Sequence, residues 1–127
     1  MYQDLRFHNI SRDIIGAAIK VHKTLRSGYT ENIYHRALEH ELELREIPYE
    51  TEKDIKIIYK GKIIGDYKID LLINDRIVVE LKAVQEFCNA HISQVISYLK
   101  ATRLNVGLLL NFSKSKLEIR RVVWDDE

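Results

Sequence analysis

Two stretches of this chain carry charge where a β-strand should be apolar. Val79-Glu80-Leu81-Lys82 sets a carboxylate and an ammonium two residues apart, and Asp70 sits inside Tyr67-Lys68-Ile69-Asp70-Leu71-Leu72. Strand side chains alternate with period two, so Glu80 and Lys82 share a face while Val79 and Leu81 point the other way. The turn between the strands decides where Asp70 goes. A three-residue turn, Asn74-Asp75-Arg76, pairs Ile73 with Ile77 and sets Asp70 opposite Glu80. A two-residue turn pairs Asp70 with Val79 and sends Glu80 to the opposite face. Arg76 is a poor choice for the left-handed position that such turns use, which leaves both registers open.

In the first register two carboxylates oppose each other. At about 4 Å and an effective dielectric near 20 they repel by roughly 4 kcal/mol, a large part of a domain stability of about 5–15 kcal/mol. Lys82 offsets one charge. If Glu31 joins from a helix end, three carboxylates and one ammonium remain, and a hard divalent cation with oxygen ligands, Mg²⁺ or Mn²⁺, balances them. The competing reading is a buried Asp70–Lys82 or Glu80–Lys82 ion pair inside a sheet. Glu31 in a first helical turn also complements the helix dipole in the ordinary way.

The elements that must position these groups are legible in outline. Apolar residues at helical spacing predict a helix from about Ile10 to Leu25, stopped by Ser27-Gly28. Thr30 is the expected N-cap of a second helix reaching Arg45, with Tyr29 and Tyr34 as a hydrophobic staple and Ile33, Ala37, Leu38 and Leu42 as its buried stripe. Pro48 marks the exit. Strands are expected at Asp54–Tyr59, Lys62–Ile73 and Ile77–Lys82, with Lys60-Gly61 as the first turn. A third helix over Ala90–Thr102 buries Ile92, Val95, Ile96 and Leu99, and displays His91, Gln94 and Tyr98 as a polar stripe beside that core face. Val106–Phe112 and Leu117–Val123 close the chain. The strand–helix–strand run from Ile77 to Phe112 predicts a parallel pair with a right-handed crossover. The whole reads as α/β, a mixed central sheet flanked by helices in the order α-α-β-β-β-α-β-β, as one domain over residues 1–127.

Composition narrows the chemistry. The 127 residues carry a formal charge of +1, so any contact with nucleic acid must come from a local basic strip. Lys23, Arg26, Lys114, Lys116 and Arg120 are the candidates. No recognition helix with an Arg/Asn cluster suggests base readout. The one cysteine, Cys88, supports neither a disulfide framework nor a cysteine zinc cluster and fits a reducing cytoplasm. Residues 1–10 lack the apolar region of a signal peptide, and no apolar run is long enough to cross a membrane. Neither a phosphate-binding glycine loop nor a nucleophile elbow is present. His22 is expected in the core, and His35 is expected to neighbour Glu31 without being a ligand.

Three motifs in this order, Gly28-x-x-Glu31-x-x-Tyr34, Asp70…Glu80-Leu81-Lys82 and His91-x-x-Gln94 with Tyr98, resemble the GxxExxY family of the PD-(D/E)XK nuclease superfamily. The resemblance spans about Ile14 to Val123. It implies a restriction-endonuclease-like core, with Asp70, Glu80, Glu31 and the Leu81 carbonyl as metal ligands. It also implies Lys82 as the residue that positions the attacking water, and Gln94 and Tyr98 as helix residues beside the site. Ile69 stands where the superfamily name has proline.

The function expected on this footing is divalent-metal-dependent phosphodiester hydrolysis of nucleic acid, DNA in the first instance, in the cytoplasm. The rival is a catalytically silent module that keeps the fold and binds nucleic acid or a protein partner. A domain this small offers little surface for substrate capture, so a homodimer or a larger complex is the expected working form.

Overall fold

A computed structural model describes residues 7–125. Two helices, α1 (His8–Leu25) and α2 (Glu31–Leu44), precede strands β1 (Tyr49–Tyr59), β2 (Lys62–Ile73) and β3 (Ile77–Lys82). Helix α3 (Asn89–Thr102) and strands β4 (Val106–Asn111) and β5 (Glu118–Val123) follow. The five strands form one sheet in sequential order, with β3 and β4 parallel and the other neighbours antiparallel. The element order, the mixed sheet and the parallel β3–α3–β4 unit agree with the sequence reading.

The sheet separates two apolar layers. Ile14, Ala17, Ala18 and Val21 of α1 and Tyr34, Leu38 and Leu42 of α2 pack on Leu71, Ile73, Val79, Leu81, Leu108 and Leu110. On the other face Val95, Tyr98 and Leu99 of α3 pack on Ile69, Leu72, Val78, Leu109 and Val122. Gly107 lets α3 come close. A Cβ at that position would lie 2.6 Å from a Val95 methyl, nearer than packed carbons approach one another. The α3 face that carries Tyr98 is thereby held against β4.

Four local expectations change. Ile33 is 42% exposed, and Tyr34 joins Leu38 and Leu42 in the buried stripe, at i, i+4 and i+8 along α2. Thr30 adopts the extended backbone of an N-cap but its side chain makes no capping hydrogen bond. Strand β1 begins at Tyr49 instead of Asp54, since Tyr49, Glu50, Thr51 and Lys53 pair with β2 despite their charge. In the β2–β3 turn the left-handed residues are Asn74 and Asp75, both at φ 55°, while the Arg76 amide donates to the Ile73 carbonyl at 3.1 Å. That is a tight turn with two left-handed central residues, the conformation Asn and Asp tolerate best. Ile73 pairs with Ile77, so the three-residue register holds without strain on Arg76.

Candidate active site

Asp70 lies at a break in the strand. Ile69 faces the α3 layer and Leu71 the α1–α2 layer, although strict alternation would put both on one side. The neighbouring strand breaks at the same level: Ile55 packs toward α3 and Tyr49 toward α1–α2, with Glu52 between them at φ 48°. Glu52 is level with Asp70, since Thr51 pairs with Leu71 and Lys53 with Ile69. The β2–β3 ladder runs from Ile73–Ile77 to Leu71–Val79. At the next step the Leu81 amide donates to Asp70 Oδ2 at 3.0 Å, so a side-chain oxygen accepts where a backbone carbonyl would. The N–H and C=O of one strand residue project to the same side, so the Leu81 carbonyl also lies toward Asp70.

Glu80 is 4% exposed. Its Oε2 lies 3.7 Å from Lys82 Nζ, and its Oε1 is buried with no hydrogen-bond partner. An orphan carboxylate oxygen in the interior is costly. Burial, and after it the nearby Asp70 carboxylate, push the Glu80 pKa up to about 8 against the pull of Lys82 and the Asp70 backbone. At neutral pH the side chain holds its proton for much of the time. Glu31, exposed at the start of α2, is also raised: burial of its carboxyl leads, Asp70 adds to it, and Lys82 and His35 oppose it. Glu31, Asp70, Glu80 and Lys82 therefore sense one another's fields, across two strands and a helix end.

The G-x-x-E-x-x-Y stretch shows how Glu31 is delivered there. Gly28 turns the chain at φ 121°, a conformation side chains rarely adopt. Tyr34 then latches the turn: its hydroxyl donates to the Arg26 carbonyl at 2.5 Å and accepts from the Tyr29 amide at 3.2 Å. Its ring stacks on Phe112 at 4.8 Å, and the Phe112 amide donates to the Lys82 carbonyl at 2.9 Å. The start of α2 is thus tied to the end of β3. The Tyr29 ring meets Tyr34 edge-on at 6.2 Å, as a staple should.

The three α3 residues divide their work. Tyr98 is buried, with its ring 5.3 Å from Tyr67, and its hydroxyl accepts a 2.9 Å hydrogen bond from Gln94. Burial, and next the Glu80 carboxylate, lift its pKa to about 12, so the phenol stays protonated and faces the acidic group. His91 instead caps α3, with Nδ1 accepting the Cys88 amide at 3.1 Å, so it leaves the stripe predicted to face a ligand. His35 bonds Thr51 at 3.0 Å and Glu39 at 3.1 Å, beside Glu31 in the fold. His22 is buried, as expected. Sequence reasoning missed Asn111. Fully buried at the end of β4, it accepts the Val84 amide at 3.0 Å and donates to the Val84 carbonyl at 2.8 Å, which pins the chain just after Lys82. A lone amide ending the apolar run Val106–Leu110 was the available signal.

Among the described residues no three His, Cys, Asp or Glu side chains stand close enough to cage a metal ion. The donor chemistry still suits a hard divalent cation. Asp70 and Glu80 are oxygen donors near one point, and the partnerless Glu80 Oε1 is the kind of atom such an ion satisfies. No helix among the described residues is long and apolar enough to cross a membrane.

Comparison with known proteins bears on this arrangement. None of the curated proteins matches the chain. The structure described as "Crystal structure of SSO0001" superposes with a TM-score of 0.61 at 18% identity, over 97% of this chain. The present chain spans 62% of the length of that one, and the likeness is one of fold. A family model described as the PD-(D/E)XK nuclease superfamily matches residues 8–122. On that match over nearly its whole length, the chain belongs to the PD-(D/E)XK nuclease superfamily.

Proposed function

We propose that the chain is a divalent-metal-dependent nuclease acting on DNA, within the GxxExxY branch of its superfamily, with Asp70, Glu80, Glu31 and the Leu81 carbonyl as the metal ligands. The observation that carries the reading is Glu80, buried at the centre of the acidic group with one oxygen unpartnered and Lys82 beside the other. When bound, Mg²⁺ or Mn²⁺ supplies Lewis-acid polarisation of the phosphoryl oxygen and acidifies water nearby. The chain's own residues do the rest. Glu80, its proton released to solvent, and Asp70, held through Oδ2 by the Leu81 amide, would hold the ion. Lys82 orients the attacking water and offsets charge that builds on the phosphate oxygens. Tyr98, oriented by Gln94, keeps a neutral hydroxyl beside Glu80 and excludes bulk water from that side.

One observation favours a second reading, a silent module that binds nucleic acid or protein without cleaving it: the described carboxylates do not form a three-residue cage. The deciding test is Mg²⁺- or Mn²⁺-dependent nicking of plasmid and single-stranded DNA by the wild-type chain and by Glu80→Ala and Lys82→Ala. Activity in the wild type alone supports the nuclease. Equal activity in all three means contamination. Measurable metal binding without cleavage of any substrate turns the reading to the silent module. A homodimer or larger complex in the cytoplasm is part of the same proposal.

A further inference from the structure

A groove of about 510 Å³ runs between α1 and the turn that joins β4 to β5. Its floor is aliphatic, from Ile19, Leu117 and Ile119, and its rim carries Lys23, Arg26 and Lys116 with no carboxylate among the lining residues. These three cations have no acidic partner among the described residues. The far wall is pinned by His22, whose Nε2 donates to the Lys114 carbonyl at 2.8 Å and so fixes the turn bearing Ser115 and Lys116.

Arg26 adds a second, independent sign. Its backbone lies at φ 62°, ψ −176°, a strained region that only glycine occupies readily. Two contacts hold it there: its amide donates to the His22 carbonyl at 2.7 Å, and its carbonyl accepts the Tyr34 hydroxyl. A strained cation is thus held over an apolar floor, five residues before Glu31. An extended chain covers about 3.3–3.6 Å per residue, so the Cα of Arg26 lies within roughly 18 Å of the Cα of Glu31.

We propose that this groove binds one unpaired nucleotide of the nucleic-acid strand that enters the site, with the base on the Ile19–Leu117–Ile119 floor and the flanking phosphates on Lys23, Arg26 and Lys116. The inference rests on the nuclease reading for its strand, and the groove defines the form of the substrate. Its size suits a single small ligand, with a mostly apolar lining and a few placed charges. A paired base cannot reach such a floor. The preference is therefore for single-stranded DNA over a blunt duplex.

The test is fluorescence anisotropy with the full chain in EDTA, where no cleavage occurs, on a short single strand, the matching duplex and a base-free strand of the same length. The wild type should bind the single strand most tightly. Replacing Lys23, Arg26 and Lys116 together by Ala should weaken that binding at least about tenfold and flatten the salt dependence by about two, at roughly 0.7 per lost phosphate contact. Arg26→Gly should raise the melting temperature by relieving the backbone, yet still weaken binding, which separates loss of the groove from loss of the fold. Unchanged affinity in these variants would overturn the proposal. So would equal binding of duplex or base-free strand, or displacement of the single strand by free thymidine monophosphate at matching concentration. Lys56→Ala, in the exposed β1–β2 hairpin, should bind as the wild type does. Groove-dependent binding without any cleavage would refute the nuclease reading and leave the groove standing, whereas cleavage of single strands at an unchanged rate in the triple variant would refute the groove alone.

Discussion

The β1–β2 hairpin and the β2–β3 base each carry two carboxylates around one lysine, and they behave in opposite ways. In the hairpin Lys56 lies 2.9 Å from Asp54 and 3.7 Å from Asp66, all three open to solvent. At the base Lys82 lies 3.7 Å from Glu80, beside Asp70. The hydrogen bond from Lys56 holds the Asp54 pKa below the ordinary range, whereas burial lifts that of Glu80 to about 8. Contact distance is only part of the difference, since Lys56 hydrogen-bonds Asp54 while Lys82 stands farther from Glu80. Water around the hairpin screens the charges and leaves the lysine in control, while at the base desolvation outweighs the lysine. The same residue types make a screened surface pair in one place and a buried acid with a raised pKa in the other.

Substitution should expose that contrast most strongly in catalysis. Glu80→Ala and Lys82→Ala are each expected to lower DNA nicking by on the order of 10²-fold or more, while Lys56→Ala leaves the rate unchanged. Comparable losses at Lys56 would dissolve the distinction between the two clusters.

Stability against pH should come next. Glu80 binds its proton more tightly when folded than when unfolded, so the folded state holds the extra proton between pH 4.5 and about 8. Metal-free wild type should therefore lose stability as pH rises through that window, at up to about 1.4 kcal/mol per pH unit. Glu80→Gln should flatten the slope and be the more stable chain at pH 8, which urea titrations at pH 5 and pH 8 will read. A wild-type curve that rises across the window would contradict the burial argument.

Divalent metal sharpens the comparison further. Mg²⁺ or Mn²⁺ should raise the melting temperature in a concentration-dependent way, by the equivalent of about 2.7 kcal/mol at one hundred times Kd. The rise should be larger at pH 8 than at pH 5.5, because binding displaces the Glu80 proton, and it should vanish in Glu80→Ala. The smallest effect belongs to the hairpin: Lys56→Ala is expected to leave the melting temperature almost unchanged, and all the more so in high salt.

Part of the candidate site's arrangement is legible in the sequence because it is local. Glu80 and Lys82 share a face by strand period alone, and the three-residue turn set the register to within the last pair. Tyr34 was recognised as a staple, although its hydroxyl bonds to Arg26 and Tyr29 depend on a turn at Gly28 that spacing does not describe. Helical angle assigns His91 to a ligand-facing stripe, since it cannot tell a displayed side chain from one that folds back to cap its own helix. Local pattern does not reveal the role of Asn111, whose partner Val84 lies 27 residues away.

By itself the sequence determined the element order, the strand period that aligns Glu80 with Lys82, and the inventory of oxygen donors, since each depends on near neighbours along the chain. Tertiary structure alone decided three things. Paired breaks in β1 and β2 swap faces at Asp70, the latch from Tyr34 to Phe112 brings Glu31 to the end of β3, and packing by α3 seals Glu80 from water. Desolvation and convergence are properties of surfaces that meet only after the chain has folded, and no local pattern encodes them.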